Sequence, residues 1–202
     1  MELLSSISLR LTGDLKEDVK SLLYLMGKEK TFEHVRAVAE MNMKIAEQYK
    51  LSKEICELSG YLHDISAIVA PDDMMTYAMK QEWYVDEAER KYPFLLHQRI
   101  SEVIAREYFA VEDARILSAI KCHTTLKAYP SPYDLALFVA DKLAWDQGKP
   151  PFYETLITAL DQSLEQAALS YMNYIIENEM ILYPHIWFKE AIYFLEKEIK
   201  NE

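Results

Sequence analysis

Turn-forming residues are scarce in this chain: four glycines and seven prolines among 202 residues. Hairpins have little room, and apolar positions recurring every three to four residues point instead to an all-α protein. Cysteine is nearly missing too. Cys56 and Cys122 stand in no close-paired metal or redox spacing, so both are expected as reduced thiols in core positions. No apolar run approaches the ~18–20 residues of a membrane span, and Met1 to Gly13 offers neither a basic leader nor an apolar stretch ending in small residues. A soluble protein with no membrane partner is expected, with the cytoplasm as its compartment. Positive charge is also short, with 22 Lys and Arg against 33 Asp and Glu and a net charge of -11. That balance argues against a nucleic-acid partner, which needs clustered basic residues. A small phosphate-bearing ligand is still allowed, because a metal and a few lysines can meet its charge locally.

What is present is helical periodicity. Leu15, Val19, Leu22, Leu23 and Met26 form one stripe of a helix expected over Asp14 to Met26; Val35, Val38, Met41, Ile45 and Ala46 hold the same period from about Thr31 to Tyr49. Ser52 suits the N-cap of a short helix ending at Leu62, and Pro71 before Asp72 and Asp73 marks another start. Further helices are expected over His97 to Phe109 and Glu112 to His123, while Ser131-Pro132-Tyr133-Asp134 opens the helix carrying Asp141. Gly148-Lys149-Pro150-Pro151 is the clearest break. Beyond it, Tyr153 to Ile199 reads as two or three helices, interrupted at Tyr183-Pro184, that cover the preceding bundle. A single domain over residues 1–202 follows, with a core at about 28–147 and a C-terminal cover at about 152–200. These Tyr-rich helices pack internally or against a partner, which leaves a homodimer open.

Into this pattern fall residues that a helical interior tolerates poorly. His34 shares a face with Ala37, Val38, Met41 and Ile45; His97 with Ile100 and Ile104; His123 with Ile116, Ala119 and Ile120; Asp141 with Asp134, Leu137 and Phe138. His63-Asp64 closes the apolar stretch Ile55 to Leu62. Only His185, of five histidines, falls outside the set. Any one of these is readily a hydrogen-bonded core residue, but four histidines with two aspartates form a ligand set for one or two cations, with Fe, Mn or Zn suiting it better than Mg. The chain has no Gly-x-Ser-x-Gly elbow, no Gly-rich phosphate loop and no dinucleotide fingerprint. Water activated by a metal is then the remaining strong nucleophile, and hydrolysis of a phosphate ester or anhydride its natural chemistry.

The order His34, His63-Asp64, His97, His123, Asp141 resembles the HD-domain metal-dependent phosphohydrolases. Within them, Leu95-Leu96-His97-Gln98, Ala119 to Thr125 and Phe138-Val139-Ala140-Asp141-Lys142 resemble the bacterial YqeK group, which splits diadenosine tetraphosphate symmetrically into two ADP. The resemblance implies an HD-type bundle in which His34, His63, Asp64 and Asp141 hold a metal, iron by preference. His97 and His123 would complete a second metal position or hold substrate phosphates, and Asp64 would bridge two metals. Asp64, His97, His123 and Lys142 are the implied catalytic residues, Lys142 by stabilising negative charge. Thr124, Gln147 and Lys149 join His97, His123 and Lys142 as candidates for binding the nucleotide. Three basic positions usual in the family are Thr31, Ala67 and Gln147 here. Losing such phosphate clamps weakens or redirects substrate binding without touching the metal ligands; Lys30, Lys127 and Lys149 stand near enough in sequence to replace them. A nucleotidase or pyrophosphohydrolase acting on ordinary nucleotides, and a non-catalytic nucleotide-binding regulator, therefore stay open as alternatives.

Overall fold

The computed structural model describes residues 4, 9–144 and 148–201. Eleven α-helices and no strand occur among them, and no helix among them is long and apolar enough to cross a membrane. Helix α1 (Leu15–Leu25) begins where the Asp14 carboxylate accepts from the amides of Lys16 and Glu17. It ends at Gly27, whose φ of +66° suits a residue without a side-chain clash. Helix α2 (Glu29–Tyr49) starts two residues earlier than its apolar stripe suggests. Helix α3 (Lys53–Leu62) is capped by Ser52, as expected, and α4 (Pro71–Lys80) carries its proline in the first turn.

Helix α5 (Glu87–Lys91) has no counterpart in the sequence reading. Five residues are too few to establish a period, and what starts the helix is a capping box between Asp86 and Glu89. A 3-10 turn, Pro93–Leu96, leads into α6 (His97–Glu107), which stops two residues short of the expected end. Helix α7 (Ala114–Cys122) follows its Asp113 cap, and α8 (Pro132–Leu143) opens on the Ser131–Asp134 capping box. The C-terminal segment makes three helices, α9 (Tyr153–Leu160), α10 (Leu164–Glu177) and α11 (Ile186–Asn201).

Burial divides the apolar side chains into two clusters. One gathers α1, the start of α2, the end of α3, α4 and α6 around Leu22, Val35, Leu62 and Ile104. The other gathers the rest of α2 with α8, α9, α10 and α11 around Ile45, Phe138, Leu156 and Met172. Helices α2, α3 and α7 contribute to both. The C-terminal helices thus share a core with the central bundle, and the α9 end is tied to α2 by Tyr49, whose hydroxyl donates to the Leu160 carbonyl, and by Gln48 at 3.2 Å from the same oxygen. Both cysteines are free and buried, and burial pushes the Cys56 thiol up to about 12.

Helices α2 and α3 can cross closely because Gly60 faces Ala39. A methyl group at position 60 would stand 2.5 Å from the Ala39 Cα, a backbone atom that cannot step aside. Buried Asn42 reinforces the crossing, its amide donating to the Cys56 carbonyl at 2.8 Å. Gly60→Ala should therefore lower unfolding stability by roughly 1–3 kcal/mol, the usual cost of overpacking a core. Urea unfolding of the two proteins measures it; equal midpoints would mean that the helices have slack at this crossing.

Candidate metal centre

Three of the site histidines stand directly after helical elements. His63 follows the last residue of α3 and its Nδ1 donates to the Gly60 carbonyl at 2.7 Å. His123 follows α7 and does the same to Ile120 at 2.8 Å. His97 follows the 3-10 turn and donates to Phe94 at 2.7 Å. A carbonyl only accepts, so each Nδ1 carries the proton and each Nε2 turns a lone pair to the same space. His34, from the second turn of α2, adds its Nε2 at 3.3 Å from that of His63.

The carboxylates complete the cluster. Asp141, in the last turn of α8, places Oδ1 at 3.2 Å from His34 Nε2 and 3.6 Å from His63 Nε2. Asp64 divides its two oxygens. Oδ2 faces His34 and His63 at 3.9 and 3.7 Å, while Oδ1 faces His97 and His123 at 3.5 and 3.4 Å. Five of the six residues expected as ligands form two overlapping groups, His34-His63-Asp141 and His63-Asp64-His123, and the sixth, His97, adjoins the second through Asp64 and His123.

This donor set fits a cation. Nitrogen and oxygen ligands ~2.1 Å from an ion lie roughly 3 to 3.5 Å apart, and the separations here, 3.0 to 3.9 Å, include and slightly exceed that range. The Nε2 atoms of His97 and His123 are 3.0 Å apart, and with both Nδ1 protons already committed, two bare lone pairs would face one another. A positive charge between them removes that repulsion. Protonation answers it poorly, because burial and the neighbouring His63 and His97 bring His123 down to about 4 despite Asp64.

Charge around the cluster is arranged accordingly. Burial opposes ionisation of Asp64, yet His63, His123 and His97 hold its carboxyl far below the usual range. Burial likewise opposes Asp141, and Lys142, His34 and His63 overcome it. His63 is pulled down by burial but raised further by Asp64 and Asp141. The Lys142 ammonium is buried and held charged by Asp141, with Nζ 2.5 Å from Asp141 Oδ2 and 3.0 Å from the His123 carbonyl.

The surrounding polar groups fix the segments that carry the donors. Gln98 Oε1 accepts from the amides of Thr124 and Thr125, at 3.1 and 3.3 Å, and its Nε2 donates to Thr125 Oγ1 at 3.0 Å, so α6 is stapled to the His123 loop. Thr124 Oγ1 lies 3.1 Å from His97 Nε2. Ser66 donates to the His97 carbonyl at 2.9 Å and accepts from Ser101 at 2.9 Å. The buried serines and Phe94 were absent from the sequence reading; a polar residue at a buried helical position next to a ligand was the available signal for Ser101.

Other expectations are not met. Ala37 is exposed rather than on the buried face of α2. Lys127 is turned to Asp134 and Ser118, at 3.2 and 2.5 Å, and neither it nor exposed Lys30 lines the cavities at this cluster. Lys149 pairs with exposed Glu154 at 2.9 Å and lines none of the cavities at the cluster. Gln147 lies outside the described residues.

The HD domain model matches residues 31–146, over half the chain, and the chain belongs to that family. Together with the donor set this defines an HD-domain hydrolase. A Lactococcus lactis subsp. cremoris protein, known as an uncharacterized protein in the pepC 5' region, is 39% identical over 75% of this chain and 76% of its own length. A Staphylococcus aureus protein named symmetrical bis(5'-nucleosyl)-tetraphosphatase is 30% identical over 56% of this chain and 58% of its own. Among solved structures, a Clostridium acetobutylicum protein named a predicted HD superfamily hydrolase involved in NAD metabolism superposes with a TM-score of 0.80. That match covers 90% of this chain and 97% of the other at 19% identity, so it speaks for the fold alone.

Two outcomes follow. Lys142→Met strands the Asp141 carboxylate, so metal-free protein should lose about 3–5 kcal/mol of unfolding stability, as when one partner of a buried pair is removed; added metal should shrink the loss. Denaturant unfolding with chelator and with metal measures both arms. His123 gives a pH signature: an unfolded histidine takes a proton near pH ~6.5, whereas folded His123 refuses it until about 4. Across that window the unfolded chain binds the extra proton, so acid favours unfolding. His123→Gln should flatten the fall in metal-free stability from about pH 6.5 to about pH 4. His63, its pKa raised, contributes the opposite way, stabilising below about pH 6.5 and losing that contribution as the pH rises through its folded value.

Proposed function

We propose that this protein hydrolyses a phosphoanhydride of a nucleotide, and that its substrate is diadenosine tetraphosphate, cut between the second and third phosphorus to give two ADP. One observation carries the reading: Asp64 stands between two pairs of histidines, one oxygen toward each pair. Such a carboxylate, with histidines on each oxygen, would suit the holding of two cations, which would supply charge neutralisation to a phosphoanhydride. The name of the Staphylococcus aureus relative supports the tetraphosphate as substrate.

His34, His63, Asp64 and Asp141 would hold the first cation, and His97 and His123, sharing Asp64, the second or the phosphates themselves. A cation bound there supplies Lewis acidity and lowers the pKa of a ligated water toward ~7. The chain's own contribution is fixed geometry. Nδ1–carbonyl hydrogen bonds lock the tautomers, Gln98 holds the two histidine segments together, and Lys142 presents a buried positive charge beside Asp141. Water oxygen bonds to phosphorus as the bridging P–O bond breaks, the leaving ADP takes up the electron pair, and both protons of the water are released as the two new terminal phosphates ionise to dianions.

Cavities open on both sides of the cluster. One, about 420 Å³, is bordered by His34, Asp141 and Lys142; another, about 350 Å³, is bordered by Asp64, His97, Val69 and Met74. Two exits suit a substrate with a nucleoside at each end. Lys142 is the only lysine or arginine lining either among the described residues, which favours, as a second reading, a nucleotidase acting on a less highly charged nucleotide.

Purified protein should release ADP from diadenosine tetraphosphate faster than phosphate from a panel of nucleoside mono-, di- and triphosphates; the reverse order would replace the first reading by the second. Asp64→Ala should reduce turnover by more than the roughly 10- to 100-fold typical of losing an outer partner of a metal ligand, with a parallel loss of bound metal by elemental analysis. Undiminished activity in that variant would leave the proposed chemistry without support.

A further inference from the structure

The 420 Å³ cavity bordered by His34, Asp141 and Lys142 does not end at the cluster. A second cavity of about 270 Å³ shares Phe94, Leu95, Thr124, Met180 and Ile181 with it and closes against Tyr92, Tyr183 and His185. Together they run from the charged centre to an aromatic wall at the C-terminal helices. The Tyr92 ring lies 6.1 Å from both Phe94 and Tyr183.

The chemistry changes sharply along this path. Among the described residues that line the outer cavity, His185 is the only imidazole, carboxylate or basic side chain, and it is already engaged within the protein. Its Nε2 lies 3.6 Å from buried Glu89 and its Nδ1 accepts from the Trp187 amide at 3.1 Å. No lysine or arginine lines this cavity among the described residues, although the Lys91 ammonium stands 5.5 Å from the Tyr183 ring. The exposed side chains around this concavity are large and mostly apolar: Phe94, Met180 and Tyr183 are 52, 59 and 40% exposed. Apolar surface of that kind, grouped about a pocket, marks a ligand site. A molecule that satisfies both ends is anionic where it meets Lys142 and the donor cluster, and flat and aromatic where it meets Tyr92, Phe94 and Tyr183.

We propose that the outer cavity binds the nucleobase of the substrate, stacked on the Phe94–Tyr92–Tyr183 wall, so that the segment joining α10 to α11 is part of the active site. The proposal rests on the nucleotide reading above and adds to it where the base sits and what selects it. Phe94 has a double part. Its ring borders the cavities on both sides of the cluster, while its carbonyl orients His97.

The test is calorimetric titration of the protein, as purified with its metal, by ADP and by methyl diphosphate, which has the phosphates without the nucleoside. ADP should bind tighter by about tenfold or more, the order of one base–aromatic stack. Phe94→Ala and Tyr183→Ala should each erase most of that advantage while leaving methyl diphosphate binding in place, and Tyr183→Phe should retain it. Both side chains changed are well exposed, and unchanged thermal midpoints would verify that the fold is kept. Equal affinity for the two ligands in the unaltered protein, or equal loss of both in the alanine variants, overturns the proposal. An ADP preference that vanishes in Tyr183→Ala, in a protein that does not cleave diadenosine tetraphosphate, keeps the base site and removes that substrate. Cleavage with an unaltered KM in Tyr183→Ala keeps the substrate and removes the base site.

Discussion

The hydrogen bond from a histidine Nδ1 to the carbonyl three residues earlier is the interaction on which the centre depends. It occurs at His63, His97 and His123, each at the end of a helix or turn, and the Phe94 and Ile120 carbonyls also accept from the backbone N–H of the same histidine. One bond does two things there. It fixes the ring against the main chain, and it dictates which ring nitrogen remains to bind something else. The three residues reach the same geometry by the same local device, and tertiary packing has only to bring three chain termini of helical elements to one point.

That packing task falls to α2, α3 and α7, the helices common to both apolar clusters. His34 lies on α2, His63 directly after α3 and His123 directly after α7, so the donors sit on the elements best held from two sides. Side-chain networks refine the placement. Gln98 bridges the His97 and His123 segments, and the Ser66–Ser101 pair secures the carbonyl of His97 itself. Lys142 neutralises Asp141 from behind, where a buried carboxylate without a partner would be expensive. The cluster is therefore a region of concentrated charge inside a well-packed frame, balanced by short contacts.

Much of this was legible in the chain. Histidine is rare here, and four of the five fall on apolar helical faces or at the end of one, a pattern that 3.6-residue periodicity exposes without coordinates. Caps at Ser52, Asp113 and Ser131 made helix starts readable because their chemistry is local. Helix α5 was invisible because its five residues carry no period, although Asp86 and Glu89 spell a capping box. The lysines at 127 and 149 looked available by proximity in sequence, but each found an acidic partner that only the fold brings near. The aromatic wall was hidden for the same reason. Tyr92 and Tyr183 are ninety-one positions apart, and no spacing rule links a 3-10 turn to a connection between two distant helices.

Phe94 joins two scales of organisation in one residue. Its backbone oxygen steadies an imidazole, and its ring stands at the boundary between the compartments that leave the centre. Because that oxygen belongs to the main chain, a change of side chain at position 94 alters the walls of these compartments while the acceptor for His97 stays in place.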